Sequence, residues 1–194
     1  MDRGDGQQYQ WLNNGGIKLG SKGFLNIPAD LKKQLASNRA DKISDNVQLY
    51  NRVNGQPDPR EKTANRMVTT NYGLMPQSSV TVGYNAEYDF NKITFYTFGT
   101  YALRDSDLNY SYRAPSNVNS LSEIYPDGFR PRVVVHEQDY QFTAGLKGRI
   151  LEWNWDPSSS FCANPARQTA DHTLNARLGP SSPLSFFVGT FQTT

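Results

Sequence analysis

The sequence predicts an all-β fold, an antiparallel transmembrane β-barrel segment of about six strands set in hairpins with short periplasmic turns and long outer loops. Three observations carry this expectation. Only 37% of residues are hydrophobic, yet 12% are aromatic, with Tyr 11 and Phe 10. Apolar and polar residues alternate with a period of two over long stretches. Tight turns and long connections follow one another in regular alternation.

The composition is polar for a folded chain, with a mean hydropathy of -0.68. Disordered segments are poor in aromatics, so this balance points to β structure with one polar and one apolar face. A net charge of +2 with Lys32-Lys33 as the only adjacent lysine pair leaves no basic stripe, and no nucleic-acid partner is expected. The single cysteine, Cys162, excludes an intrachain disulfide and any multi-cysteine metal site. No run of roughly 18 apolar residues is present, so no transmembrane helix is expected. Barrel strands escape that criterion, because they are about 10 residues long and half polar.

The elements follow in chain order. Tyr9, Trp11, Ile17 and Leu19 share parity and open the first strand. After the Gly20-Ser21-Lys22-Gly23 turn, Phe24-Leu25-Asn26-Ile27 begins the second, with Pro28 inside it. Proline removes a ladder donor and is expected only at an edge or bulge. The stretch from Ala29 to Leu35 reads as helical. Ser79 to Phe90 is the clearest strand: Val80, Val82, Tyr84, Ala86, Tyr88 and Phe90 face one side, and Ser79, Thr81, Gly83, Asn85, Glu87 and Asp89 the other. Asn91-Lys92 turns into Ile93–Arg104, whose two faces are too alike to assign. Asp139 to Ile150 alternates Tyr140, Phe142, Ala144 and Leu146 with Gln141, Thr143 and Lys147. Leu151-Glu152 then leads to a sixth strand from Trp153 to about Phe161, with Pro157 inside it. The long connections run from about Gln34 to Ser78, from about Asp105 to Glu137, and from near Cys162 onward. Globular domains rarely hold structureless loops beyond roughly 15 residues, whereas transmembrane barrels pair tight turns with long outer loops.

Several residues invite functional readings. Tyr110, Tyr112, Tyr125 and Phe129 in the second long connection are candidates to line a ligand mouth for a small-molecule substrate; the plainer reading is that they pack on one another. Trp153 and Trp155 beside a tight turn suit an aromatic girdle at a membrane interface, or an ordinary cross-strand pair. No catalytic residues are expected: Asp171-His172 lacks a G-x-S-x-G elbow, and Cys162 has no activating neighbour. With two histidines in all, His136-Glu137 gives no metal site, and no cofactor is expected.

Tyr84-Asn85-Ala86-Glu87-Tyr88, Phe98-Gly99-Thr100-Tyr101, Tyr125-Pro126-Asp127-Gly128-Phe129, Ala144-Gly145-Leu146-Lys147-Gly148 and Trp153-Asn154-Trp155-Asp156 together resemble the mid-barrel region of TonB-dependent outer-membrane receptors. Pro57-Asp58-Pro59-Arg60-Glu61 resembles an outer loop of that family, as do Leu174-Asn175-Ala176, Leu178-Gly179-Pro180 and Ser185-Phe186-Phe187. The resemblance implies a bacterial outer-membrane location, lipid contact and a barrel of about 22 strands with a plugged lumen. It also implies uptake of a bulky nutrient of the siderophore, cobalamin or oligosaccharide class, powered through a TonB complex. Nothing in residues 1–194 resembles the family's signal peptide, TonB box or plug. About six strands fall short of the roughly eight of the smallest closed barrels. The expectation is one structural unit, an internal part of a receptor barrel needing the remaining strands and plug as partners. The alternative is a secreted or surface β-sandwich that binds carbohydrate through the same aromatic loops.

Overall fold

The computed structural model describes residues 4–69 and 72–193. Eight antiparallel strands form one open sheet, and the named helical elements are two short 3-10 turns. The strands are β1 (Gln8–Leu19), β2 (Gly23–Gln34), β3 (Gln77–Asp89), β4 (Ile93–Asn109), β5 (Arg132–Ile150), β6 (Trp153–Trp155), β7 (Ser158–Asp171) and β8 (Phe186–Thr193). They lie in the order β1-β2-β3-β4-β5-β7-β8, with β6 also on β5. The short turns therefore collect at one end of the sheet and the long connections at the other.

Five expectations change. The stretch from Ala29 is strand rather than helix, since β2 continues to Gln34. Leu31 sits between Trp11 and Val80 in the ladder, and two-sided pairing outweighs a local helical preference. The sixth expected strand does not end near Phe161; β7 runs through Cys162 to Asp171, so the third connection starts at His172. Ser185-Phe186-Phe187 is not loop beyond Ser185, because Phe186 opens β8. The second connection shrinks to residues 110–131 as β4 and β5 extend past the limits read from alternation. Eight strands stand where about six were expected.

The prolines show how the ladder tolerates them. Pro28 lies in an interior strand, contrary to the edge-or-bulge expectation. Pairing of β2 with β3 lapses at Ile27 and Pro28 and resumes at Ala29↔Val82 in the same register. A Cβ on Gly83 would lie 3.1 Å from the Pro28 ring, so glycine leaves the ring its space. Asp156-Pro157 splits β6 from β7 likewise: Gly148↔Trp155 and Gly145↔Ser158 keep one register across the gap. There Leu146 N still donates to Pro157 O at 3.1 Å.

Paired residues of an antiparallel ladder share a face. The rung Trp11, Leu31, Val80, Leu103 and the rung Ala29, Val82, Tyr101, Tyr140, Ala163 therefore lie on one side. The register also assigns Ile93–Arg104: Phe95, Tyr101 and Leu103 join the apolar face, and Tyr96, Phe98 and Ala102 the other. The opposite face is polar and cross-linked, with Lys147 on Glu87 at 2.7 Å, Tyr96 on Asp156 at 2.6 Å and Thr143 on Ser160 at 2.7 Å.

Nothing among the described residues covers the apolar face. Trp11 is 53%, Phe142 49% and Ile150 63% exposed. The buried apolar side chains are Ala40, Leu49, Tyr50, Phe129, Val133, Ala163 and Leu174, most of them in the connections. Toward the connections the apolar face gives way to charge: His136 meets Asp105 at 2.6 Å, and Arg132 lies between Asp107 and Asp171 at 3.3 and 2.5 Å.

Candidate functional site

The first connection (residues 35–76) and the second (110–131) pack together into a cap at one end of the sheet. In the first, Asp58 caps the 3-10 turn Pro59–Lys62, its carboxylate accepting from Arg60 N at 2.9 Å. Proline at the first position of that turn fixes φ and gives up a donor that needs no partner there. The turn aims Glu61 inward, where Oε1 accepts from Leu49 N at 2.7 Å and Tyr50 N at 2.8 Å. Its Oε2 meets Arg66 Nη2 at 2.7 Å, and Arg66 Nη1 reaches the carbonyls of Ser44 and Val47 at 2.9 Å. One ion pair thus satisfies backbone groups on both sides of the loop, as a buried charge pair must to be tolerated.

The second connection closes on this platform. Ser116 N donates to Leu49 O at 2.9 Å, and Tyr50 Oη donates to the Asp127 carboxylate at 3.0 Å. Arg60 lies 4.2 Å over the Tyr50 ring, pairs with Asp58 at 2.8 Å and donates to Pro126 O at 3.3 Å. Gly128 has φ +77, and a Cβ there would strike Arg113 O and Tyr112 Oη at 2.5 Å, so the Asp127-Gly128 turn requires glycine. Burial, then the Asp127 carboxylate, pushes the Tyr50 phenol up to about 12. The Arg60 guanidinium holds the Asp58 carboxyl below its ordinary value.

Between the connections lies a cleft of about 650 Å³, lined among others by Tyr50, Arg60, Asn65, Tyr112, Asp127, Phe129 and Arg130. Of the four aromatic candidates, Tyr112 and Phe129 line it. Phe129 is 5% exposed and stacks on Tyr125, centroids 4.4 Å apart, which makes these two a packed pair at the wall. Tyr110 does not line the cleft; its N–H donates to Pro131 O at 2.8 Å and its side chain is exposed. Tyr50, Arg60 and Arg130 are among the lining residues that sequence reasoning did not name as site residues. The Pro57-to-Glu61 motif marked the right loop, but nothing local says that it meets a segment more than 60 residues away, as the Arg60–Pro126 bond shows (|i−j|=66).

Trp153 and Trp155 lie at the other end, by the turn at Leu151, whose φ is 55. Register puts both on the apolar face, opposite Ile150 and Gly148. Trp153 is 80% exposed, and Trp155 lies over Gly148, close to where a Cβ would be. Cys162 is exposed on the polar face, paired with Gln141. Among the described residues no helix is long and apolar enough to cross a membrane, which says nothing about strands, and no cluster of metal-ligating side chains occurs. No protein-family model, curated protein or solved structure matches the chain.

Proposed function

We propose that the chain is part of an outer-membrane TonB-dependent receptor, a β-barrel transporter for a bulky nutrient of the siderophore, cobalamin or oligosaccharide class. The observation that carries the barrel reading is the uncovered apolar face and the way its band crosses the strands. On β1 the band begins at Tyr9, whose ladder partners lead through Lys33, Ser78 and Asp105 to His136 of β5. On β5 it begins only at Tyr140, four residues farther from the connections. At the other end Leu19 stands level with Leu146, while the β5 band continues to Ile150. Such a slant across four strand spacings corresponds to strands inclined by about 35° to the normal of the band, close to the tilt of roughly 35–45° from the axis in membrane barrels. At that tilt, Tyr140 to Ile150 spans roughly 28 Å, comparable with an apolar belt about 25 Å tall.

The rest of the molecule fits this frame. Trp153 and Trp155 stand at the short-turn border, where indoles favour the membrane interface. The polar face, with its Lys147–Glu87 pair, suits a hydrated lumen. The cap then lies on the outer side, where its cleft is a candidate substrate-capture surface. Backbone groups along the free sides of β1 and β8 have no partner in hydrocarbon, so this reading requires further strands from the remainder of the receptor. The receptor family rests on the motif resemblance, the barrel on the sheet. No catalytic role, cofactor or nucleic-acid partner is proposed; the partners are membrane lipid, the remaining strands and plug, and a TonB complex reached through them. A carbohydrate-binding sandwich needs a second sheet over the apolar face, and every strand described belongs to one sheet.

Fractionation of cells making the native protein tests the reading. It should sediment with outer membranes and need detergent for release; recovery in the soluble fraction without detergent overturns it.

A further inference from the structure

A trough of about 520 Å³ crosses β1 to β4 on the apolar face, near the connections. It lies over two rungs of opposite character. The inner rung is Trp11, Leu31, Val80 and Leu103; the outer one is Tyr9, Lys33, Ser78 and Asp105. All eight residues line the trough. The Asp105 carboxylate is taken by His136 Nδ1 at 2.6 Å. Lys33 makes no ion pair with any described residue, so its ammonium stands without a direct partner at the end of an apolar channel, two strands away from the Asp105–His136 contact.

We infer that this trough is a binding site for a membrane lipid with an anionic phosphate headgroup. The inference rests on the barrel reading. An acyl chain lies along Trp11, Leu31, Val80 and Leu103, removing apolar surface from other contacts. The phosphate meets the Lys33 ammonium, with the Ser78 hydroxyl beside it as a second donor. Charge complementarity selects this occupant: an uncharged amphiphile fills the channel and leaves the cation without a partner. A charge-assisted contact at the membrane surface is stronger than a neutral one and favours anionic lipid near a lysine by about fivefold.

Trp11 reports on its own site. The receptor that supplies the remaining strands, carrying this chain's Trp153→Phe and Trp155→Phe, is inserted in phosphatidylcholine vesicles and titrated with phosphatidic acid bearing brominated acyl chains, the Trp11 signal being the difference from the same protein with Trp11→Phe. Phosphatidylcholine bearing the same chains is the control. Trp11 fluorescence should be quenched by both, with phosphatidic acid about fivefold more effective at equal mole fraction. Lys33→Gln should abolish the difference, and Lys33→Arg should keep it. Equal quenching by the two lipids overturns the lipid site and leaves the barrel standing. No quenching by either overturns the barrel reading itself. If the double substitution prevents insertion, spin-labelled phosphatidic acid and phosphatidylcholine on the wild-type receptor and its Lys33→Gln variant measure the same preference, and immobilisation that Lys33→Gln leaves unchanged again overturns the site.

Discussion

In the sheet, Trp11 and Phe142 keep about half of their surface exposed, at 53% and 49%, although both sit in long hydrogen-bonded strands. In the cap, Leu49, Tyr50 and Phe129 belong to segments without strands, yet they are 2%, 5% and 5% exposed. Regular backbone and buried side chains are thus found in different places. A strand satisfies its own hydrogen bonds through its neighbours and leaves its apolar side chains for something else to cover. An irregular connection has few such bonds, so much of its folding comes from burying side chains and from turning carboxylates such as Glu61 onto its free N–H groups.

This contrast breaks most readily by changing the solvent. Transfer from lipid or detergent into plain buffer should abolish the cooperative β signal and cause aggregation, followed by circular dichroism and light scattering. A monodisperse, cooperatively unfolding monomer in buffer would mean that the apolar face needs no cover, and the contrast would be lost.

A smaller effect comes from charge placed on one face or the other. Leu146→Arg, near mid-band, should destabilise the vesicle-inserted receptor by about 2–4 kcal/mol, whereas Gln141→Arg on the opposite face should cost far less. Urea titrations of the two variants decide it. Similar losses at the two sites would count against a lipid-facing side.

The cap should answer to a different change. Glu61→Gln weakens the contacts to Arg66, Leu49 and Tyr50, and should cost roughly 1–3 kcal/mol of local stability. Hydrogen exchange should quicken through residues 44–66 while β3 to β5 keep their protection. Loss of protection in both regions would show that cap and sheet are one cooperative unit.

The mildest effect is a titration. The Tyr50 phenol is raised, so its contribution is intact below the ordinary value near 10 and is lost as pH climbs through about 12. Tyrosinate absorbance of wild type minus Tyr50→Phe should show this late step, and Asp127→Asn should move it downward. A step at the ordinary value would remove Tyr50 from the cap's interior.

Alternation in β3 and β5 was legible because the two faces of these strands meet different surroundings. The end of β2 was not, since Ala29 to Leu35 becomes strand through partners on both sides rather than through any local preference. The second half of β7 hid behind Pro165, which pairs with Gln192 while the rungs beside it on β5 lapse. Within the candidate site, Tyr112 and Phe129 were found as loop aromatics. Tyr50 and Arg60 came from another connection, and contacts between distant loops leave no periodic trace.

The ribbon inside the first connection bears on the order in which the chain folds. Ser37 N bonds to Leu74 O at 2.9 Å, Arg39 N to Tyr72 O at 2.7 Å and Ile43 N to Arg66 O at 2.9 Å. Joining β2 to β3 across an unstructured connection of this length costs roughly 2 kcal/mol more chain entropy than closing a short turn. A ribbon that zips first brings Gln34 and Gln77 side by side before the strands pair. The cap then serves as a splint for assembly: hairpins β1–β2 and β3–β4 form alone, and the connection delivers one to the other in register.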